Sequence, residues 1–322
     1  MDRNNCVFIT GATGKCGRET IKSLTQNFPN IRILAAVRDT SKARECFSQM
    51  NCKGLEFCQL EQTAVTPKSV EEMTRLMKGC GAVLIIPPAE ETALSRVEVS
   101  RCYVEAAKKA GVEYCCLISS GCVDRKNVLF HRQFVEIETC VKQSGMRYCF
   151  LRCEMFMENN LADCESVKKT RSFSYPCNPD MKFAPIATCD IGSCAATLLA
   201  HNVQCLKGGQ QTCNMCGDKC PHHNATSYRL TTCKALSMTE LAGIYTKLAK
   251  NEVKYVQCSR QDCMNNMMKK GVPEWQVEGI VELFDMVNDG MMQTPTQDVE
   301  HIIGKKPMTM DEFMMKNANM FA

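Results

Sequence analysis

Three glycines near the start of the chain stand where phosphate chemistry would need them. The run Val7-Phe8-Ile9-Thr10-Gly11-Ala12-Thr13-Gly14-Lys15-Cys16-Gly17 carries three apolar residues into a turn. Gly11 can take a tight turn without a Cβ penalty. Gly14 admits a pyrophosphate to the backbone, and Gly17 lets the next helix pack close to its strand. Ile21, Leu24 and Phe28 follow at helical spacing. The helix start then offers unpaired N–H groups and a positive dipole end to an anion. Gly11, Thr13, Gly14, Lys15, Cys16 and Gly17 are the expected phosphate contacts. The competing reading is a purely structural turn, and the flanking strand and helix weigh against it.

A second site of charge follows the expected strand Ile31 to Val37. A dinucleotide unit for NAD usually carries an acid at this tip, for the ribose 2′-hydroxyl. Here Arg38 comes before Asp39, and Lys42 lies four residues past Arg38. The forked donors of a guanidinium match a 2′-phosphate. The pattern favours NADP(H) over NAD. The alternative leaves Arg38 solvated and gives the ribose to Asp39.

A third group of reactive side chains lies between Ala200 and Tyr228, as Cys205…Cys213-Asn-Met-Cys216-Gly-Asp-Lys-Cys220-Pro-His222-His223. Cys-x-x-Cys-Gly has the shape of a zinc knuckle, and Cys220 with His222 or His223 would complete four ligands. The gap between the second and third ligands is short for zinc, which usually joins two well-separated pairs. A polar surface insertion near 204–227 is the preferred reading, so no metal is assigned. Zinc and a redox-sensing dithiol are the alternatives, and the spacing leaves open whether the insertion is ordered.

The elements needed to position these groups can be traced along the chain. Leu55 to Leu60 reads as a third strand, and Thr66 caps a helix with Pro67 at its first position. Val70, Met73 and Met77 mark that helix's buried face. Ala82 to Ile86 is a continuous apolar strand, as in a parallel sheet covered on both faces. It ends at Pro87-Pro88, on the edge where ligands bind such sheets. Val99, Tyr103, Ala106, Ala107 and Ala110 form a helical stripe, stopped by Gly111. Tyr114 to Ile118 is a fifth strand, closing with Ser119-Ser120-Gly121. Phe134, Ile137 and Val141 mark a further helix, ended by Ser144-Gly145, and Arg147 to Leu151 is a sixth strand. Alternating strands and helices imply an α/β, doubly wound parallel sheet. Its carboxyl edge gathers the glycine turn, Arg38, Pro87 and Ser119.

Bulk composition narrows the classes. The chain has 322 residues, 45% hydrophobic and 23% charged, ordinary for a globular protein. A net charge of +4 is too mild to argue for nucleic acid. No stretch approaches the roughly 18 apolar residues of a membrane span. The first strand begins almost at once, leaving no basic-then-apolar targeting pattern. There are 24 cysteines. Many sit inside strand or helix patterns, such as Cys115, Cys116 and Cys149, where they read as small buried hydrophobes. Free thiols in a reducing, cytoplasmic setting are expected.

Beyond the sixth strand the motifs resemble a known family. Glu138…Ser144-Gly145…Tyr148…Leu151-Arg152…Phe156-Met157-Glu158-Asn159 and Ala187…Asp190-Ile191-Gly192…Ala195-Ala196 look like the NmrA-like family of atypical short-chain dehydrogenases. Gly271-Val272-Pro273-Glu274-Trp275, Glu282-Leu283-Phe284 and Asp298-Val299-Glu300…Gly304…Pro307…Phe313 are similar to its quinone and azo-dye reductase branch. The resemblance covers almost the whole chain. It implies a Rossmann domain, taken as residues 1–155, and a smaller C-terminal α/β lobe with interleaved segments, taken as 156–322. It also implies NADP(H) as ligand, held by Gly11 to Gly17 and Arg38, with Phe156 to Asn159 beside the nicotinamide. Relatives have only a short connection where the Cys/His insertion stands.

The departures bear on chemistry. Short-chain dehydrogenases usually pass a proton through Tyr-x-x-x-Lys, yet none of the seven tyrosines here has a lysine four residues on. Many relatives keep a lysine or histidine where Phe134 stands, and His131 lies one turn earlier. His131 is the candidate proton donor, against the alternative of a surface or capping histidine. The usual aspartate is also missing at Gln59-Leu60-Glu61. The expected activity is hydride transfer from NADPH to a quinone-like or azo-like acceptor, with Phe156 flanking the ring and Asn159 orienting the carboxamide. The rival is a non-catalytic NADP(H) sensor acting on a regulatory protein partner. Ser237-Met-Thr-Glu240 and Thr309-Met-Asp-Glu312 are capping boxes for helices of the lobe. Its methionines (Met264, Met267, Met268, Met286, Met291 and Met292) read mostly as core filling.

Overall fold

A computed structural model describes residues 5–50, 52, 54–60, 66–88, 93–121, 123, 128–205 and 223–321. The chain runs β1 (Cys6–Ile9), α1 (Lys15–Asn27), β2 (Arg32–Val37), α2 (Thr40–Cys46), β3 (Leu55–Gln59) and α3 (Pro67–Met77). It continues through β4 (Ala82–Ile85), α4 (Ala93–Ala110), β5 (Tyr114–Ser120), α5 (Leu129–Gln143) and β6 (Arg147–Cys153). A 3-10 turn (Met157–Asp163), α6 (Cys164–Thr170), β7 (Ser172–Tyr175), β8 (Lys182–Phe183), α7 (Thr188–Cys205) and β9 (Thr226–Leu230) follow. The last elements are β10 (Leu236–Ser237), α8 (Met238–Ala249), β11 (Lys254–Gln257), α9 (Arg260–Lys269), α10 (Glu274–Asn288), α11 (Asp298–Ile303) and α12 (Met310–Lys316).

Seven strands form one sheet in the order β3-β2-β1-β4-β5-β6-β9, and the pairs from β3 to β5 run parallel. This is a doubly wound α/β sheet, the class expected from the strand–helix alternation. Side chains alternate between faces. Phe8, Leu34, Val83 and Leu117 join a core with Val70, Met73 and Met77 of α3, Tyr103, Ala106 and Ala107 of α4, and Ile137 and Val141 of α5. The alternate residues Val7, Ile9, Ile33, Ala35, Leu84 and Cys116 are equally buried. Both faces are therefore covered, which explains the unbroken apolar runs.

Local signals are realised where they were read. The Thr66 hydroxyl accepts from the Ser69 N–H at 3.2 Å, with Pro67 in the first turn. Both capping boxes form, at Ser237/Glu240 and at Thr309/Glu312. Cys115, Cys116 and Cys149 are buried strand residues. Cys6 and Cys80 meet at 3.4 Å between sulfurs, a thiol contact rather than a disulfide. The methionines divide: Met286 and Met292 are core, whereas Met268 and Met291 are exposed. Among the described residues no helix is long and apolar enough to cross a membrane.

The chain divides into two compact units of interleaved segments. The first holds residues 1–123, 133–152 and 191–228, and the second holds 124–132, 153–190 and 229–322. Relative to boundaries at 1–155 and 156–322 with interleaved segments, 191–228 belong to the first unit, and 124–132 and 153–155 to the second. The reason is visible at α7: a Cβ on Gly192 would lie 2.5 Å from the Glu19 backbone, so α7 packs directly on α1. The second unit has two small sheets of its own, β10 with β8 and β11 with β7.

Candidate functional site

The glycine turn is built by strand ends meeting. Thr10, fully buried, donates its N–H to the Leu84 carbonyl at 3.0 Å, and its hydroxyl accepts the Ile86 N–H at 2.8 Å. This ties the end of β1 to the end of β4. Gly11 then turns with φ +58°, in the left-handed region. Gly14 donates its N–H to the Gly11 carbonyl at 3.0 Å and becomes the N-cap of α1 without a side-chain cap. A Cβ on Gly17 would fall 2.3 Å from the Gly11 oxygen and 2.7 Å from Ala12 Cα. The helix thus presses backbone to backbone on the turn, with no acid in its first turn. Its opening N–H groups lack helical acceptors, and the positive end of its dipole faces outward. Thr13, Gly14 and Lys15 are exposed, whereas Cys16 is 6% exposed. Cys16 can therefore offer a ligand its backbone but not its thiol.

At the tip of β2, Arg38 is exposed. Asp39 caps α2, its Oδ1 accepting from Ser41 and Lys42 N–H groups at 2.9 and 3.0 Å. The Lys42 ammonium lies 3.9 Å from Asp39 with its side chain 82% exposed. At the tip of β3, Gln59 lines an open cavity of about 600 Å³ with Lys68, Glu71, Glu72 and Arg75, all polar. Glu61 lies outside the described residues.

Beyond β4, Pro87 and Pro88 are half-buried. Arg96 of α4 donates Nε–H to the Pro88 carbonyl and Nη1–H to Gln133 Oε1, both at 2.9 Å. Its guanidinium lies 5.8 Å from the centre of the Phe134 ring. Burial pulls Arg96 down to about 10, because charge is costly away from water. At the end of β5, Ser119 donates to Glu138 Oε1 at 2.7 Å, and Arg152 grips both Glu138 oxygens at 3.0 and 2.8 Å. This buried forked pair joins β5, α5 and β6. Neither Arg96 nor the Glu138 cluster was assigned a role from sequence. Each had a signal: Arg96 shares the stripe of Val99 and Tyr103, and Glu138 sits between buried Ile137 and Val141.

The remaining candidates lie in the second unit. His131 is in the opening turn of α5 and is 1% exposed, so it is not a surface histidine. The turn after β6 is pinned from two sides. Met157 donates its N–H to Ile186 O at 2.9 Å, and Ile186 donates to Met155 O at 2.9 Å. Glu158 Oε1 accepts from the Thr188 N–H at 2.9 Å and its hydroxyl at 2.6 Å. Phe156 is half-buried and Asn159 exposed on that turn. Two carboxylates of this unit are raised to about 6, chiefly by burial: Asp163, despite the Tyr245 and Tyr175 hydroxyls donating to it, and Asp190, despite the Met308 N–H.

Of the Cys/His insertion, Cys213, Cys216, Cys220 and His222 lie outside the described residues. His223 is buried, with Nδ1 2.7 Å from the Tyr228 hydroxyl. Among the described residues no group of three or more His, Cys, Asp and Glu is arranged to hold a metal.

Comparison with known proteins adds to this geometry. The NmrA-like family model matches residues 3–314. The chain is similar to an NAD(P)H azoreductase of Xenophilus azovorans, 24% identical over 318 residues, 98% of this chain and 99% of that one. It is similar to quinone oxidoreductase 2 of Escherichia coli, 24% identical and covering 95% and 96%. Among solved structures, an NADPH-dependent quinone oxidoreductase of Escherichia coli complexed with NADPH superposes with a TM-score of 0.79 at 23% identity, covering 97% and 99%. At that identity the likeness speaks to the fold.

Proposed function

The chain belongs to the NmrA-like family, and from that premise we propose that it is an NADPH-dependent oxidoreductase acting on a quinone-like or azo-like acceptor. The observation that carries the reading is the glycine turn: a Cβ at Gly17 would collide with the Gly11 oxygen and Ala12, so the uncapped start of α1 closes directly on the turn. Those residues fit a pyrophosphate. The main chain of Gly11 to Gly17 holds it, with Thr13 and Lys15 at hand and Pro87 beside the turn. Arg38 takes the 2′-phosphate. Asp39 caps α2 through Oδ1, and Arg38 is the forked donor beside it at this tip.

NADPH, when bound, supplies the hydride. The chain's own task is orientation and proton supply. Phe156 flanks the acceptor ring and Asn159 orients the carboxamide. Glu158, bonded to Thr188, holds the turn that carries them. His131 keeps a proton on a ring nitrogen for the reduced acceptor, in place of the missing Tyr-x-x-x-Lys pair. Two relatives named for azo and quinone reduction support the acceptor class. The second reading, an NADP(H) sensor without turnover that answers to a regulatory protein, is favoured by that missing pair.

The deciding experiment is NADPH oxidation by pure protein against a panel of quinones, with NADPH affinity measured in the same preparation. Turnover above the uncatalysed rate supports the reductase. Tight binding with no turnover overturns it in favour of the sensor.

A further inference from the structure

Helix α10 carries Trp275, Gly279 and Glu282 at i, i+4 and i+7, which is one helix face. That face meets the opening turn of α5 almost residue by residue. Glu282 Oε2 accepts the Leu129 N–H at 2.5 Å. The Phe130 ring lies on Gly279, where an added Cβ would stand 2.7 Å from Phe130 Cζ. Trp275 meets Phe130 edge-on, 6.2 Å between ring centroids at 86°. His131 is the next residue along. All of them belong to the second unit.

The arrangement has a plain physical cause. The first N–H of a helix has no helical acceptor, and Val128, which precedes α5, has no side-chain oxygen to cap it. Glu282 supplies that acceptor from a distant part of the chain. Its negative charge also suits the positive end of the α5 dipole. Gly279 removes the one atom that would push Phe130 away.

We propose that Trp275, Gly279 and Glu282 form a positioning face that fixes the opening turn of α5 and thereby sets where His131 holds its proton. This rests on the reading of His131 as the proton donor. The three residues act through Leu129 and Phe130, not on the acceptor. A proton donor must sit within hydrogen-bond reach, and a misplacement of about 1 Å costs roughly a hundredfold in rate.

The test uses the full chain and a readout that does not depend on turnover. The His131 ring cross-peak is identified among the five histidines by its loss in His131→Gln. Glu282→Ala and Gly279→Ala should each move that cross-peak. They should lower kcat with quinone about ten- to a hundredfold and leave NADPH affinity within about twofold. Glu282→Gln, whose amide oxygen still accepts, should keep the cross-peak and most of kcat. Leu129→Pro removes the donated N–H at a position where proline suits a helix, and Glu282→Ala should add nothing in that background. An unmoved cross-peak in Glu282→Ala and Gly279→Ala, or full additivity with Leu129→Pro, overturns the proposal. If His131→Gln keeps full turnover while the cross-peak moves in the α10 variants, the positioning face stands and the proton-donor reading falls.

Discussion

At the glycine turn the groups offered to a ligand are main-chain N–H groups, on a helix start with no side-chain cap. At the opening turn of α5 the group on offer is an imidazole, 1% exposed, on a turn gripped by side chains of α10. The first arrangement depends on atoms being absent: one Cβ at Gly17 would collide with the Gly11 oxygen at 2.3 Å. The second depends mainly on atoms being present, a carboxylate and two aromatic rings, with Gly279 the one place where a missing Cβ makes room. On the proposed reading, pyrophosphate binding and proton supply draw on different units and should fail separately. Substitutions that separate or merge the two failures measure how independent they are.

The largest effect is expected at Gly17. Gly17→Ala forces the helix off the turn, and overpacking of this kind costs about 1–3 kcal/mol of stability. NADPH and NADH binding should both be lost in isothermal titration, while the His131 cross-peak stays in place. A protein that still binds either dinucleotide would put the pyrophosphate somewhere other than this turn. Next in size is Arg38→Ala. Losing charge-assisted bonds worth about 1.5–3 kcal/mol should weaken NADPH roughly ten- to a hundredfold and leave NADH nearly unchanged. Equal loss for both cofactors would remove the case for a 2′-phosphate contact.

The second unit should carry a pH sensitivity of its own. Asp163 and Asp190 both lie there, each raised to about 6 from 3.8 by burial. A folded carboxyl with a raised value keeps a proton that the unfolded chain releases. Stability is then full below about pH 4 and is lost as pH rises through 6. For Asp163 the loss is on the order of 2–3 kcal/mol. Urea unfolding between pH 4.5 and 7.5 measures it, and the sole tryptophan, Trp275, reports this unit directly. Asp163→Asn should remove its share of the slope, and an unchanged slope would show that the carboxyl is ionised throughout.

How much could be read ahead follows the same division. The glycine turn, the Thr66-Pro67 helix start and both capping boxes are contacts between near neighbours, so residue types at fixed spacing announce them. The doubly wound parallel α/β class followed from strand–helix alternation. Contacts across the chain were hidden. Arg96 to Gln133 spans 37 residues and Leu129 to Glu282 spans 153, and no local pattern encodes such partners. Charged residues on apolar stripes, such as Arg96 and Glu138, do announce that a partner exists without naming it. His131 was placed at a helix start, but its burial was not legible in the sequence around it. Interleaved segments were expected, but which segment returns was hidden for a similar reason: at α7, Gly192 packs on Glu19 of α1, 173 residues earlier.

The smallest expected effect, at Lys42, tests the charge side of the comparison. Sequence spacing puts a second cation near Arg38, but the ammonium sits 3.9 Å from Asp39 on a side chain 82% exposed. An exposed pair of this kind contributes about 0–1 kcal/mol, and ions in solution screen it further. Lys42→Ala should therefore weaken NADPH by less than about fivefold. What remains of that effect should shrink as salt is raised, whereas the Arg38→Ala loss persists because forked hydrogen bonds depend on geometry as well as charge. Affinities of the two variants across a salt series separate the cases. A Lys42→Ala loss as large as that of Arg38→Ala, and as resistant to salt, would mean that Lys42 leaves Asp39 and closes on the 2′-phosphate. The β2 tip would then hold its ligand with mobile side chains, and the rigid-backbone account of cofactor binding would apply to the glycine turn alone.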